Sequence, residues 1–309
     1  MKSNDRYHIG TLGSPWGNDE MAAWLAAQSV KRSYADEVVA KIDAMRSDYE
    51  VVAHGELSID PARYPLFVLK SRSWEPSRPS VFITGGVHGY ETSGVQGAIR
   101  FLQVEAHNLA EQFNFMVMPC VSPWGYETIN RWNPRSVDPN RSFKVDSPSE
   151  EAAAVIRYLE ISEIDFVAHF DLHETTDTDN SEFRPALAAR DAVQHDIWEI
   201  PDGFYAVGDR ARPVPEFQKA IIESVKQVTH IAPGINGEII GEPLEQEGVI
   251  NYDAGPLGLC MGATNARFVT TTEVYPDSPR ATDEICIDAQ VATIRGGLHY
   301  VCQVSTSEE

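Results

Sequence analysis

The chain is 309 residues long and 42% hydrophobic, with 46 acidic against 25 basic residues and a formal net charge of −21. That length is enough to bury a large apolar core, while the acidity repels phosphate backbones and anionic lipid, so neither nucleic acid nor a membrane is an expected partner. No opening run has signal-peptide character and no stretch reaches the roughly 18 apolar residues of a membrane span, so the expected location is cytoplasmic.

Residues 1–18 read as a loosely ordered end. From Ala35 to Met45 the apolar residues Val38, Val39, Ile42 and Met45 recur at helical spacing, and Tyr64 to Leu69 follows as a short strand. Ser80 to Val87 (SVFITGGV) is a buried-strand candidate that ends on two glycines. Helical spacing returns from Ser93 to Glu111, and Phe113 to Val121 is strand-like, closed by Pro123 and Gly125. A polar loop, Ser122 to Ser147, comes next. Ser149, with acidic residues behind it, starts a helix to Leu159, and Asp165 to Leu172 reads as another central strand. Helices are expected at Pro215 to Val228 and Thr282 to Cys302, with a strand at Arg267 to Val274 and a polar tail over 305–309. This alternation indicates one α/β domain over 1–309, a sheet with helices on both faces. Cys120, Cys260, Cys286 and Cys302 are far apart without CxxC spacing and read as reduced thiols.

In open α/β sheets, ligands gather outside the carboxyl ends of strands. His88 and Glu91 follow the Ser80 strand, His173 and Glu174 follow the Asp165 strand, and Glu273 lies near the end of the Arg267 strand. In GGVHGYE the turn after the glycine pair can aim His88 and Glu91 at one point. Two imidazoles and one carboxylate, with a fourth position open, form the ligand set of a catalytic zinc; a lone HxxE is more often a hydrogen-bonded surface pair. FDLHETT offers His173 as the third ligand. His169, four residues earlier, can share its strand face but lies inside the apolar run, as a core or supporting histidine would. Asp171 can orient a ligand imidazole or serve as a structural acid.

The stretch SPWGYETINRWNPRSVDPNRSF gathers Arg131, Arg135, Asn140 and Arg141 in an acidic protein. A solvated basic loop is one reading. The clustering points instead to an anionic ligand, since one arginine can hold a carboxylate with a bidentate fork and a second can stabilise an oxyanion.

In order, HGYE, SPWGYETINRWNPRSVDPNRSF, DLHETT and TTTEVYP resemble the motifs of the zinc metallocarboxypeptidases and their relatives, the aspartoacylases and succinylglutamate desuccinylases. The resemblance spans Ser80 to Pro276. It implies a central mixed twisted sheet flanked by helices, one zinc held by His88, Glu91 and His173, and Glu273 as general base. It further implies that Asn140 and Arg141 grip a substrate carboxylate and that Arg131 polarises the scissile carbonyl, with Arg135 the alternative. Tyr252 stands near the place of the mobile tyrosine that covers the substrate in carboxypeptidases.

The implied activity is hydrolysis of a peptide or amide bond beside a free carboxylate, by a metallocarboxypeptidase. The alternative is an N-acyl amino acid deacylase, so the partner is a small peptide or an acylated amino acid. SPWG in place of NPDG, DPNRS in place of DLNRN, Tyr90 in place of an arginine, and the deacylase-like DLHETT leave that choice open. PLGLCM (256–261) is uncharged and reads as core or as an apolar side-chain pocket. An inactive zinc-bearing binding module would have lost Glu273 or a ligand, and all are present.

Overall fold

Alternation along two strands decides the centre of the molecule. In β3 (Ser80–Gly85), Val81 and Ile83 join one apolar cluster while Phe82 joins another, and in β4 (Asn114–Met118) Phe115 and Val117 are separated in the same way from Met116 and Met118. A strand whose successive side chains are all buried must be covered on both faces. One cover is α3 (Thr92–Val104), α7 (Pro215–Val225) and α9 (Asp283–Ser305); the other includes Ala152 and Val155 of α5 (Glu150–Ser162).

The computed structural model describes residues 7–195 and 199–305. Its main sheet has eight strands in the order β1-β2-β4-β3-β5-β10-β6-β9, where β1 is Tyr49–Glu56, β2 Pro65–Ser71, β5 Phe166–Glu174, β6 Tyr205–Asp209, β9 Val249–Tyr252 and β10 Phe268–Val274. The pairs among β4, β3, β5 and β10 are parallel, as is β6 with β9, whereas β1–β2, β2–β4 and β10–β6 are antiparallel. A small hairpin pairs β7 (Glu238–Ile239) with β8 (Glu242–Pro243). The remaining helices are α1 (Asn18–Ala26), α2 (Ala40–Ala44) behind a π-helical turn, α4 (Pro123–Thr128), α6 (Arg184–Asp191) and α8 (Ala254–Leu257). The expected single α/β domain with a mixed sheet is the observed one.

Several expectations are revised in detail. Tyr49–Glu56 is a strand where none was expected, and β5 runs two residues further, so His173 and Glu174 lie within it rather than beyond it. The stretch 122–147, expected as a polar loop, is folded and mostly buried. It contains α4 and a 3₁₀ turn at Pro139–Arg141, and Trp124, Tyr126, Trp132, Asn133 and Asn140 are buried. Residues 1–6 and 306–309 of the two expected loose ends lie outside the described residues; of the rest, Trp16 is buried edge-on against Trp132.

Candidate active site

Glycine shapes the turn that carries the first two candidate ligands. Gly86 has φ +60°, in the left-handed region, and a side chain at Gly89 would meet the backbone of Tyr126 at 2.1 Å and of Ser122 at 2.3 Å. The GGVHG turn can therefore press against α4 and deliver Glu91 to the start of α3. Sheet register delivers the third candidate, because His173 of β5 pairs with Glu273 of the parallel strand β10.

Glu91 lies between the two imidazoles, with Oε1 2.7 Å from His88 Nδ1 and Oε2 2.6 Å from His173 Nδ1. All three side chains are buried, and one ligand atom from each falls within 4.8 Å of the others. Burial opposes ionisation of Glu91, but His173 and His88 outweigh it and hold the carboxyl low. Glu91 Oε2 nevertheless lacks a hydrogen-bond partner, since its approach to His173 is close but not aligned as a bond. A buried carboxylate oxygen without a donor is costly, and a dication shared with two imidazole nitrogens would satisfy it. Two nitrogens and one oxygen are the donor set that suits catalytic zinc, so the residues fit that ion.

Each imidazole is held from behind. His88 Nε2 lies 3.0 Å from Asp138 Oδ1 and His173 Nε2 lies 3.0 Å from Asp171 Oδ2. Thr84 Oγ1 donates to Asp171 Oδ1 at 2.7 Å. Burial works against both charged carboxylates; His88 and Arg131 keep Asp138 well below the usual range, and His173 lowers Asp171 as well. His169 stands apart, 3.2 Å from Thr84 Oγ1 and 3.3 Å from Thr264 Oγ1, its ring against Phe82. Burial pushes its pKa down to about 4.

A cavity of about 190 Å³ is lined by His88, Arg131, Asn140, Arg141, Tyr252 and Glu273, so the structure brings these sequence candidates together. Arg131 Nε is 3.3 Å from Asp138 Oδ2, its Nη1 donates to Asp179 Oδ1 at 3.1 Å, and its guanidinium lies 4.3 Å over the Phe183 ring. Arg135 is exposed, paired with Glu150 and outside this cavity. Asn140 Oδ1 accepts the Cys260 N–H at 2.8 Å, which fixes the amide with Nδ2 3.4 Å from His173 Nε2. Arg141 Nη1 donates to the Asn140 carbonyl at 2.6 Å.

Thr175 Oγ1 donates to Glu273 Oε2 at 2.8 Å, and with that hydrogen committed the Tyr205 hydroxyl donates to Thr175 Oγ1 at 2.8 Å. Burial lifts the Glu273 carboxyl to about 8. Glu174 is also lifted, to about 7, chiefly by burial, but its Oε1 is taken by the Ser93 N–H at 2.7 Å, at the start of α3. Of the PLGLCM stretch, Leu259 lines the cavity beside Val207, whereas Cys260 and Met261 belong to the core.

Asp138, Asp179, Arg184 and Tyr205 were not singled out from the sequence. Asp138 was readable, because an Asp before Pro at the head of a turn is a capping signal, and its Oδ1 does accept the Asn140 N–H at 2.9 Å. The other three come from 175–214, where the pattern assigned no element.

Residues 39–178 match the family model described as zinc carboxypeptidase. Among solved structures, a candidate metallopeptidase of Shewanella amazonensis SB2B superposes with a TM-score of 0.66 at 18% identity, covering 88% of this chain and 98% of its own. A metallo-carboxypeptidase from Burkholderia cenocepacia gives 0.58 at 17% identity, over 94% of this chain and 70% of that one. A metallo-carboxypeptidase from Pseudomonas aeruginosa, in complex with (2-guanidinoethylmercapto)succinic acid, gives 0.55 at 14% identity, over 91% and 68%. A sequence search finds no match among curated proteins.

Proposed function

We propose that this chain, a zinc peptidase of the metallocarboxypeptidase superfamily by sequence and fold, cleaves a peptide or amide bond and releases an amino acid with a free α-carboxylate. The observation that carries this reading is the single cavity in which Arg131, Asn140, Arg141, Tyr252 and Glu273 meet His88.

His88, Glu91 and His173 would hold the zinc, which when bound supplies Lewis-acid polarisation of the carbonyl and a lowered pKa for the attacking water. Arg141 and the Asn140 amide take the leaving residue's carboxylate through charge-assisted hydrogen bonds. Arg131 takes the charge that develops on the scissile oxygen. Its two carboxylate partners, Asp138 and Asp179, hold it in place beforehand, so little reorganisation accompanies the reaction. Glu273 accepts the water's proton and returns it to the leaving amine, a task suited to a carboxyl whose pKa is raised toward neutrality. Tyr252 covers the site, and Val207 with Leu259 gives an apolar wall for the leaving side chain.

An N-acyl amino acid deacylase would use the same residues in the same roles. It is favoured by the enclosure of the cavity by Phe183 and Leu187 from the α6 segment and by Ile240 after β7, which suits a short substrate. Zinc therefore belongs to the proposal as the metal, with a small peptide or acylated amino acid as the partner. Among the described residues no helix is long and apolar enough to cross a membrane, and four free thiols are consistent with a reducing cytoplasm.

Glu273→Gln tests the reading. The variant keeps its zinc, because Glu273 is not a ligand, yet loses on the order of 10²–10⁴ in kcat. Near-normal turnover would contradict it.

A further inference from the structure

Apart from the Cys286 thiol, the buried face of α9 carries two polar side chains, Gln290 and Thr293, and the Thr293 hydroxyl stays within the helix by donating to the Ala289 carbonyl at 3.0 Å. Gln290 reaches out of it. Its amide is fully buried with both ends engaged: Oε1 accepts from the Thr272 hydroxyl at 2.6 Å, while Nε2 donates to the His173 carbonyl at 2.9 Å and to Ser93 Oγ at 3.2 Å. The Thr272 hydroxyl in turn accepts the His173 N–H at 3.0 Å. Gln290 and Thr272 thus close a ring around both backbone polar groups of His173, and the reverse amide orientation would set Oε1 against the His173 carbonyl.

These partners belong to the three segments that carry the proposed site. His173 is itself a proposed ligand, Thr272 precedes the proposed base Glu273 on β10, and Ser93 follows Glu91 by two residues in the first turn of α3. A close helix crossing permits the reach, since a Cβ at Gly97 of α3 would fall 2.5 Å from the Gln290 Cβ. Gln290 lies beyond residues 39–178, the span that matches the family model.

Stability does not account for an amide at this place. Desolvating it costs free energy that its hydrogen bonds largely only return, whereas Leu or Met would fill similar space and add apolar burial. What the amide supplies is direction, because a fully satisfied buried network holds its members in one arrangement.

We infer that Gln290 is a positioning residue, which fixes the backbone of His173 against Thr272 and the start of α3 so that the metal ligands and Glu273 keep their spacing. The inference rests on the zinc reading above.

Gln290→Met keeps the length of the side chain and removes its hydrogen bonds. In the full chain it is expected to weaken zinc binding by on the order of 10-fold, measured against a chromophoric chelator, and to lower kcat while KM changes little. Leu298→Ala is the control. It deletes a fully buried side chain of the same helix about two turns away, so it lowers the melting temperature of the apoprotein at least as much, yet leaves zinc affinity in place. The visible spectrum of the cobalt-loaded protein should likewise shift in Gln290→Met and not in Leu298→Ala. Affinity retained in Gln290→Met, or lost equally in both variants, makes Gln290 a packing residue only and overturns the inference.

Thr272→Val removes the bridging hydroxyl and so opens the same ring from the sheet side. It is expected to weaken zinc binding as Gln290→Met does. Should Gln290→Met fail to fold, Thr272→Val decides, and unchanged affinity there overturns the inference. Failure of the metal reading is told apart by the unmodified chain, which would then bind no zinc, and the inference would fall with it.

Discussion

Asp138 ties His88 to the loop that carries Arg131: its Oδ1 lies 3.0 Å from His88 Nε2 while its Oδ2 lies 3.3 Å from Arg131 Nε. One carboxylate thus sets the orientation of a proposed ligand and of the proposed oxyanion arginine. Asp138→Asn preserves the shape and removes the charge. It is expected to weaken zinc binding by roughly 10–100-fold, in line with other carboxylates that back a ligand histidine, and to lower kcat as well. Competition with a chromophoric chelator measures the first effect, and unchanged affinity would detach Asp138 from the metal centre.

The choice between His173 and His169 is also decided by metal content. His173→Ala is expected to lose stoichiometric zinc, whereas His169→Ala, whose ring contacts Thr84, Thr264 and Phe82, keeps it. Burial alone would lower the His173 pKa, but Asp171 and Glu91 hold it well above the ordinary value, so protons compete with the metal. Zinc affinity should therefore fall as pH is lowered. Elemental analysis of both variants after dialysis at two pH values checks this, and zinc lost only from His169→Ala would reverse the assignment.

Thr175 controls the proposed base. Its hydroxyl donates to Glu273 Oε2 and so favours the ionised carboxylate against burial, which lifts the pKa to about 8. Removing that donor in Thr175→Val raises the Glu273 pKa further, and the acid limb of the kcat/KM profile moves to higher pH by about one unit. The direction follows because the base acts only when deprotonated. A limb that stays in place, or moves to lower pH, would mean that another group limits the rate.

The site was legible where chemistry and local geometry coincide. The glycine pair before His88, the strand-end position of Glu273 and the Ser149 cap, whose Oγ accepts the Ala152 N–H at 3.2 Å, all leave marks within a few residues of chain. What was missed depends on long-range packing. β1 is only partly buried, with Val51 and Val52 both half-exposed, so its pattern gives no clean alternation. In α6 only Ala186 is buried, and the cavity-lining role of Arg184 arises from where that short helix docks. The stretch 122–147 reads as a polar loop because it is rich in polar groups, yet these satisfy one another, as in Asn133 Nδ2 to Glu151 at 3.1 Å and Ser142 Oγ to the Asp138 carbonyl at 2.7 Å. The resemblance names Arg131 with Arg135 as the alternative; the fold turns Arg131 into the cavity and leaves Arg135 at the surface with Glu150.

The central claim is that the bond cleaved lies beside a free carboxylate held by Arg141 and Asn140. The most direct measurement is kcat/KM of the zinc-loaded protein on one substrate offered as the free acid and as its carboxamide, repeated with Arg141→Ala. Losing the paired charge-assisted hydrogen bonds should cost the amide on the order of 10–100-fold. Arg141→Ala should impose a similar loss on the acid while the acid-to-amide ratio closes toward one. Equal hydrolysis of acid and amide by the unmodified protein would contradict the account and exclude both its carboxypeptidase and its deacylase forms.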